Sequence, residues 1–162
     1  MDTTDFPLDI RRAREEDTAD ILELLVQVCM VHHNGRPDLF KGPATKYTAD
    51  QLRAMYGDDT RPIFVGIHDG RVAGYAFCVF QRHERDNVLT DITTLYIDDI
   101  CVHERVRGRH VGERLYRHVR AFAKAAGCHN VTLNVWTCNP GAMAFYERCG
   151  LTPQKIGMED IL

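Results

Sequence analysis

Arg107-Gly108-Arg109-His110-Val111-Gly112 stands where an apolar run, Thr93 to Val102, hands over to a long amphipathic segment. At such a strand-to-helix junction the first backbone N–H groups of the helix lack intrahelical acceptors, glycines let a ligand approach, and the helix dipole favours negative charge. Arg105, Arg107 and Arg109 add counter-charge suited to a phosphate. Taken alone, the stretch reads equally well as a surface loop with solvated arginines. The chain has no G-x-x-x-x-G-K-[ST] and no G-x-G-x-x-G after a first strand, so a mononucleotide site is the weaker reading.

Downstream, Val111, Leu115, Val119, Phe122 and Ala126 recur at helical spacing as a buried stripe, opposite a solvated face of Arg114, Arg117, Arg120 and Lys124, and Gly127 supplies a stop. Val131 to Trp136 reads as a strand, with Trp136 and Phe77 as core. Asn139-Pro140 opens a short helix through Cys149, and Thr152 to Ile161 can supply a last strand. Upstream, Pro62 to His68 and Arg71 to Gln81 form a hairpin through Asp69-Gly70, both tolerant of positive φ. Leu8 to Arg12 alternates as a short strand. Ile21, Leu25, Val28, Cys29 and His32 mark a first helix ended by Asn34-Gly35-Arg36-Pro37, and Thr48-Ala49-Asp50-Gln51 has the form of a capping box.

These elements predict one α/β domain over residues 1–162, a length and 44% apolar content sufficient for one core. With 20 basic against 23 acidic residues, a net charge of −3 argues against nucleic acid as a partner. The six cysteines lack CxxC or zinc-ligand spacing and read as thiols of a reducing compartment. No apolar run reaches the ~18 residues of a membrane span, and Met1 to Asp5 carries acid where a signal peptide needs base. The expectation is a cytoplasmic protein without metal or membrane.

Ile97-Asp98-Asp99-Ile100 sets two carboxylates in an otherwise apolar run, which is costly unless they are paired, hydrated or used. They read either as a turn or as an amine site. Adjacent strand residues face opposite ways, so only a bulge lets both carboxylates share one cleft. An alkylammonium of pKa near 10 is only about one part in a thousand neutral at pH 7, roughly 4 kcal/mol from its nucleophilic form. Asp98 or Asp99 can attract such a cation and take its proton, directly or through water. His32, His33, Arg36 and Asp38 bracket the end of the first helix and can line an acceptor pocket; as metal ligands their spacing is unconvincing.

The order strand, basic turn, helix, strand and Asn-Pro-initiated helix resembles the GNAT superfamily of N-acetyltransferases over essentially the whole chain. Arg107 to Gly112 is similar to that family's [RQ]-x-x-G-x-[GA] signature, with His110 where a glycine is usual, and Asn139 to Leu151 is similar to its N-x-x-A-x-x-[FL]-Y-x-x-x-G-[FL] helix. The resemblance implies a mixed, mostly antiparallel twisted sheet flanked by helices, splayed beside the Asp98-Asp99 strand to admit acetyl-coenzyme A. It implies that the amides of Ile100, Cys101 and Val102 hold the cofactor arm and orient the thioester. Arg107, Gly108, Arg109, His110, Val111 and Gly112 would grip pyrophosphate, Asn139 would contact the cofactor, and Tyr146 would protonate the departing thiolate. With ordinary helical φ, His110 would still donate its amide.

Tyr96 to Asp99 resembles the aromatic-aliphatic-Glu-Asp segment of polyamine acetyltransferases, with Asp98 one methylene shorter. The expected activity is direct acetyl transfer to a primary amine of a small cationic acceptor, with substrate contacts from His32, Arg36, Asp38, Asp98 and Asp99. The alternative is an acyl-coenzyme A sensor or interaction module of the same fold. Cys101 reads as a packed thiol rather than a nucleophile, and dimerisation is frequent in the family.

Overall fold

The computed structural model describes residues 6–162. The strands are β1 (Asp9–Arg12), β2 (Ile63–His68), β3 (Arg71–Arg82), β4 (Thr93–Val102) and β5 (Asn130–Leu133); the helices are α1 (Thr18–Gly35), α2 (Ala49–Met55), α3 (Val111–Ala125) and α4 (Pro140–Arg148). They build one sheet in the order β1-β2-β3-β4-β5, antiparallel except for the parallel pair β4–β5.

Alternation along the strands sorts side chains to two faces. Val65, Tyr75, Phe77 and Cys101 pack with Ile21, Leu24 and Leu25 of α1 and with Leu52 and Met55 of α2. Phe64, Ala76, Cys78, Leu95 and Ile97 pack with Tyr116, Val119 and Ala123 of α3 on the other. The β2–β3 turn has Asp69 at φ 47 and Gly70 at φ 73, the geometry that matches hairpin twist. The Thr48 side chain accepts from Gln51 N–H at 3.2 Å, and Gln51 returns a bond to Thr48 N–H at 2.8 Å, so α2 begins on the capping box.

Four expectations need correction. Arg114 is not solvated: its guanidinium donates to Phe6 O at 2.7 Å and Leu8 O at 2.9 Å, tying the N-terminal segment to α3. Ala126 lies exposed past the end of α3, and Tyr116 and Ala123 fill the stripe instead. Strand β5 stops at Leu133, so Trp136 is 42% exposed rather than core. Residues 152–161 form no strand; Pro153 and Gly157 interrupt the run a ladder would need, and Glu159 is held instead by Arg36. Among the described residues no helix is long and apolar enough to cross a membrane.

Gly74 shows how closely β3, β4 and α3 approach. A Cβ there would meet Cys101 O at 2.8 Å and Leu115 Cδ1 at 3.0 Å. Gly74→Ala is expected to lower the unfolding free energy by about 1–3 kcal/mol, read as a reduced urea midpoint at unchanged m. An unmoved midpoint would mean that the sheet yields freely at this crossing.

Candidate active site

The decisive local feature is a bulge in β4. Phe77 pairs with Asp99 and Cys78 with Ile97, leaving Asp98 as an extra residue without a cross-strand partner on β3. Ile97 and Ile100 both join the α3-side core, while Cys101 joins the α1 side. Asp98 and Asp99 both turn to the α1 side, where Tyr47, Tyr75 and Phe77 meet them. The condition for two adjacent carboxylates to share a cleft is thus satisfied.

Their partners differ. Asp98 Oδ2 accepts from the Tyr47 hydroxyl at 2.9 Å and pairs with Lys46 Nζ at 2.7 Å. Asp99 Oδ2 accepts from the Tyr75 hydroxyl at 2.8 Å. Burial raises the Asp99 carboxyl from 3.8 to about 6, against the lowering effects of the Tyr75 hydrogen bond and of Lys46. Burial, then Asp98, pushes Tyr47 up to about 12, and burial lifts Tyr75 well above the usual phenol range. Both tyrosines therefore remain neutral donors. The Phe77 ring lies between them, 5.4 Å from Tyr47 and 4.9 Å from Tyr75.

Pairing between β4 and β5 ends at Ile97 with Leu133, whereas β4 continues against β3 to Val102. From Asp98 onward the outer edge of β4 has no β5 partner. Because His103 N–H donates to Ala73 O of the neighbouring strand at 2.8 Å, alternation turns the N–H groups of Ile100 and Val102 to this open edge and that of Cys101 back toward β3, which corrects the expected Cys101 amide contact. The basic turn follows directly on this edge. Gly108 (φ 77) and His110 (φ 58) are both left-handed, and right-handed Val111 follows, a pairing that turns successive N–H groups toward one concavity.

The condition of helical φ at His110 is therefore not met: the residue takes the conformation that glycine adopts freely, at a cost of about 1–2 kcal/mol. Its imidazole lies 3.0 Å from Glu113. Arg107 Nε donates to Val102 O at 3.4 Å, linking the turn to the strand. A Cβ on Gly112 would meet Phe145 Cζ at 3.1 Å and Val102 Cγ2 at 3.3 Å, so that glycine lets the start of α3 lodge between β4 and α4. An open strand edge leading to N–H groups and arginines fits a long ligand with an anionic end, as acetyl-coenzyme A requires.

Asn139 begins α4 by accepting from Ala142 N–H at 3.2 Å. Tyr146, on the same helix, has its phenol pushed up by burial first and then by the charge of Asp99, with smaller effects of Cys149 and Cys101. Burial lowers His32, with help from Lys46, and its ring lies 5.0 Å from Phe40, which meets Trp136 edge-on at 5.2 Å. Arg36 and Asp38 pair with each other at 2.6 Å, and Arg36 also pairs with Glu159 at 2.7 Å, so those charges are satisfied outside the carboxylate pair.

Lys46, Tyr47 and Tyr75 escaped the sequence reading. Only the position of Lys46-Tyr47 directly before the Thr48 cap hinted that their backbone would be anchored.

The Acetyltransferase (GNAT) family model matches residues 30–151. Glucosamine 6-phosphate N-acetyltransferase 1 of Oryza sativa subsp. japonica is 33% identical over 63 residues, 39% of this chain and 36% of that protein. The match thus spans about a third of that relative's length. The 5-NmdU N-acetyltransferase of Pseudomonas phage PaMx11 is 28% identical over 148 residues, 88% of this chain and 86% of its own. The crystal structure of a mutant BH1408 protein from Bacillus halodurans superposes with a TM-score of 0.90 at 25% identity, covering 95% of this chain and 99% of that one.

A raised pKa has a stability counterpart. Asp99 rises from 3.8 to about 6 on folding, so folding favours its protonated form, and that advantage is lost as pH climbs through about 6. Asp99→Asn keeps an acceptor for Tyr75 and carries no charge. It should be more stable than the parent above pH 6 by about 2–3 kcal/mol, the difference vanishing below pH ~4. Unfolding midpoints at pH 4 and pH 8 check this; equal shifts at both would show that ionisation is not the cause.

Proposed function

The chain belongs to the acetyltransferase (GNAT) family, whose activity is acetyl transfer from acetyl-coenzyme A to an amine, and from that premise we propose a small cationic primary amine as its acceptor. The observation that carries this reading is the β4 bulge, which turns Asp98 and Asp99 to one face and already holds a primary ammonium, that of Lys46, against Asp98.

The carboxylates divide the work. Asp98 attracts and orients the cation. Asp99, ionised above pH 6 yet a stronger base than an ordinary aspartate by about two pKa units, or roughly 3 kcal/mol, accepts the proton that the ammonium must lose. The open-edge amides of Ile100 and Val102 orient the thioester, and a donor aimed at the developing oxyanion is commonly worth about 3 kcal/mol. Arg107, Arg109 and the N–H groups from His110 to Gly112 hold the pyrophosphate. Acetyl-coenzyme A supplies the activated acyl group.

Tyr146 is the proton source for the departing sulfur. Its raised pKa keeps it protonated until that moment. Transfer to a thiolate of ordinary pKa is uphill, so the step draws on the irreversible loss of the acetyl group from sulfur.

Thiol release over an amine panel tests the acceptor class. Small di- and polycationic amines should turn over faster than glucosamine 6-phosphate, neutral aromatic amines and peptide lysines. A sugar phosphate outpacing every cation would overturn the reading. Tyr146→Phe should reduce turnover about 10²-fold or more with little change in acetyl-coenzyme A affinity; undiminished turnover would remove Tyr146 from the proton path.

A further inference from the structure

Lys46 is the one lysine placed at the carboxylate pair. Its Nζ lies 2.7 Å from Asp98 Oδ2, and its charge is felt at Asp99 and His32. The neighbouring residue pins this arrangement: the Tyr47 hydroxyl donates to the same Asp98 oxygen at 2.9 Å, and its ring stacks on Phe77, the cross-strand partner of Asp99. The Lys46 side chain is nevertheless 46% exposed, so it sits at the mouth of the site and exchanges with solvent. Lys41, Lys124 and Lys155 are exposed on the surface.

A primary amine anchored beside a carboxylate pair has the chemistry of the acceptor itself, at the high effective concentration that tethering confers. Resting on the reading of Asp98 and Asp99 as the amine site, we propose that Lys46 is an acceptor in cis: its ε-nitrogen takes the acetyl group when no external amine is bound. The ammonium gives one proton to Asp99. Its lone pair then forms the C–N bond with the thioester carbonyl carbon as the C–S bond breaks. The sulfur takes a proton from Tyr146, which regains one from Asp99 through water, and the second nitrogen proton leaves to solvent as the amide forms. The products are Nε-acetyl-lysine, coenzyme A and one released proton.

Acetylation removes the positive charge from position 46. Asp98 then keeps only the Tyr47 hydroxyl, and the segment between α1 and α2 loses its ionic tie to the site. The modification therefore opens the acceptor face to external cations, which no longer compete with a tethered one.

Incubation of the full chain with acetyl-coenzyme A alone, followed by intact mass and peptide mapping, tests this. The expected result is a single acetyl group on Lys46, forming at a rate independent of protein concentration. It should be absent in Lys46→Arg and slowed at least tenfold in Asp98→Asn. Comparable labelling of Lys41, Lys124 and Lys155, or a rate that scales with protein concentration, overturns the proposal. Thiol release with the amine panel is run on the same preparation. Turnover of an external amine with Lys46 unlabelled overturns this inference and leaves the acceptor reading standing; failure of both overturns the acceptor reading as well.

Discussion

One extra residue in β4 governs the rest of the site. Without the bulge at Asp98, strict alternation would send one of the two aspartates into the α3-side core among Leu95, Ile97 and Val119, where an unpaired carboxylate costs several kcal/mol. With it, both face Tyr47 and Tyr75, and the hydrophobic register of Ile97 and Ile100 is preserved on the other side. The bulge also coincides with the end of β4–β5 pairing, since the last paired residue, Ile97, immediately precedes it. Bulges bend and twist the strand that carries them. The same irregularity thus gathers the carboxylates and parts the sheet.

The electrostatics follow from that geometry. Asp98 is matched by a cation and a phenol, whereas Asp99 has a phenol and a desolvation that raises its carboxyl. Two identical side chains, adjacent in sequence, therefore meet different surroundings, and those of Asp99 raise its carboxyl to about 6. The price is a carboxylate whose ionised form weakens the fold near neutral pH, the compromise that the role of base proposed for Asp99 would entail.

Local rules made much of the fold legible. Asp69-Gly70 announces a hairpin because positive φ is needed at both positions, and Thr48 with Gln51 announces α2 because the reciprocal bonds are specified by residues three apart. The paired signatures around Gly112 and Tyr146 made the family legible. What stayed hidden depends on contacts distant in sequence. Lys46 and Asp98 are separated by a helix and two strands, and Arg114 reaches the carbonyls of Phe6 and Leu8 across more than a hundred residues. The left-handed turn at His110 had a weaker signal: glycine is usual at that place in the family signature and histidine takes positive φ more readily than most residues, but it is the surrounding structure that imposes it.

Strand β4 also gives the slot a polarity. Asp99 and Val102 lie three residues apart, on the order of 10 Å along an extended chain, and Val102 touches both the start of α3 and, through its carbonyl, Arg107. Negative charge thus gathers at one point of the strand, and positive charge with free N–H groups just beyond its end. Field lines between them run along the open edge, where the reacting groups would lie. On the proposed reading, a ligand anionic at one end would be drawn to the turn and a cation to the carboxylates, and each would be repelled from the other's place. Because a single rigid strand carries both determinants, their separation is set by backbone geometry rather than by flexible side chains. That rigidity is what a direct transfer between two bound partners requires.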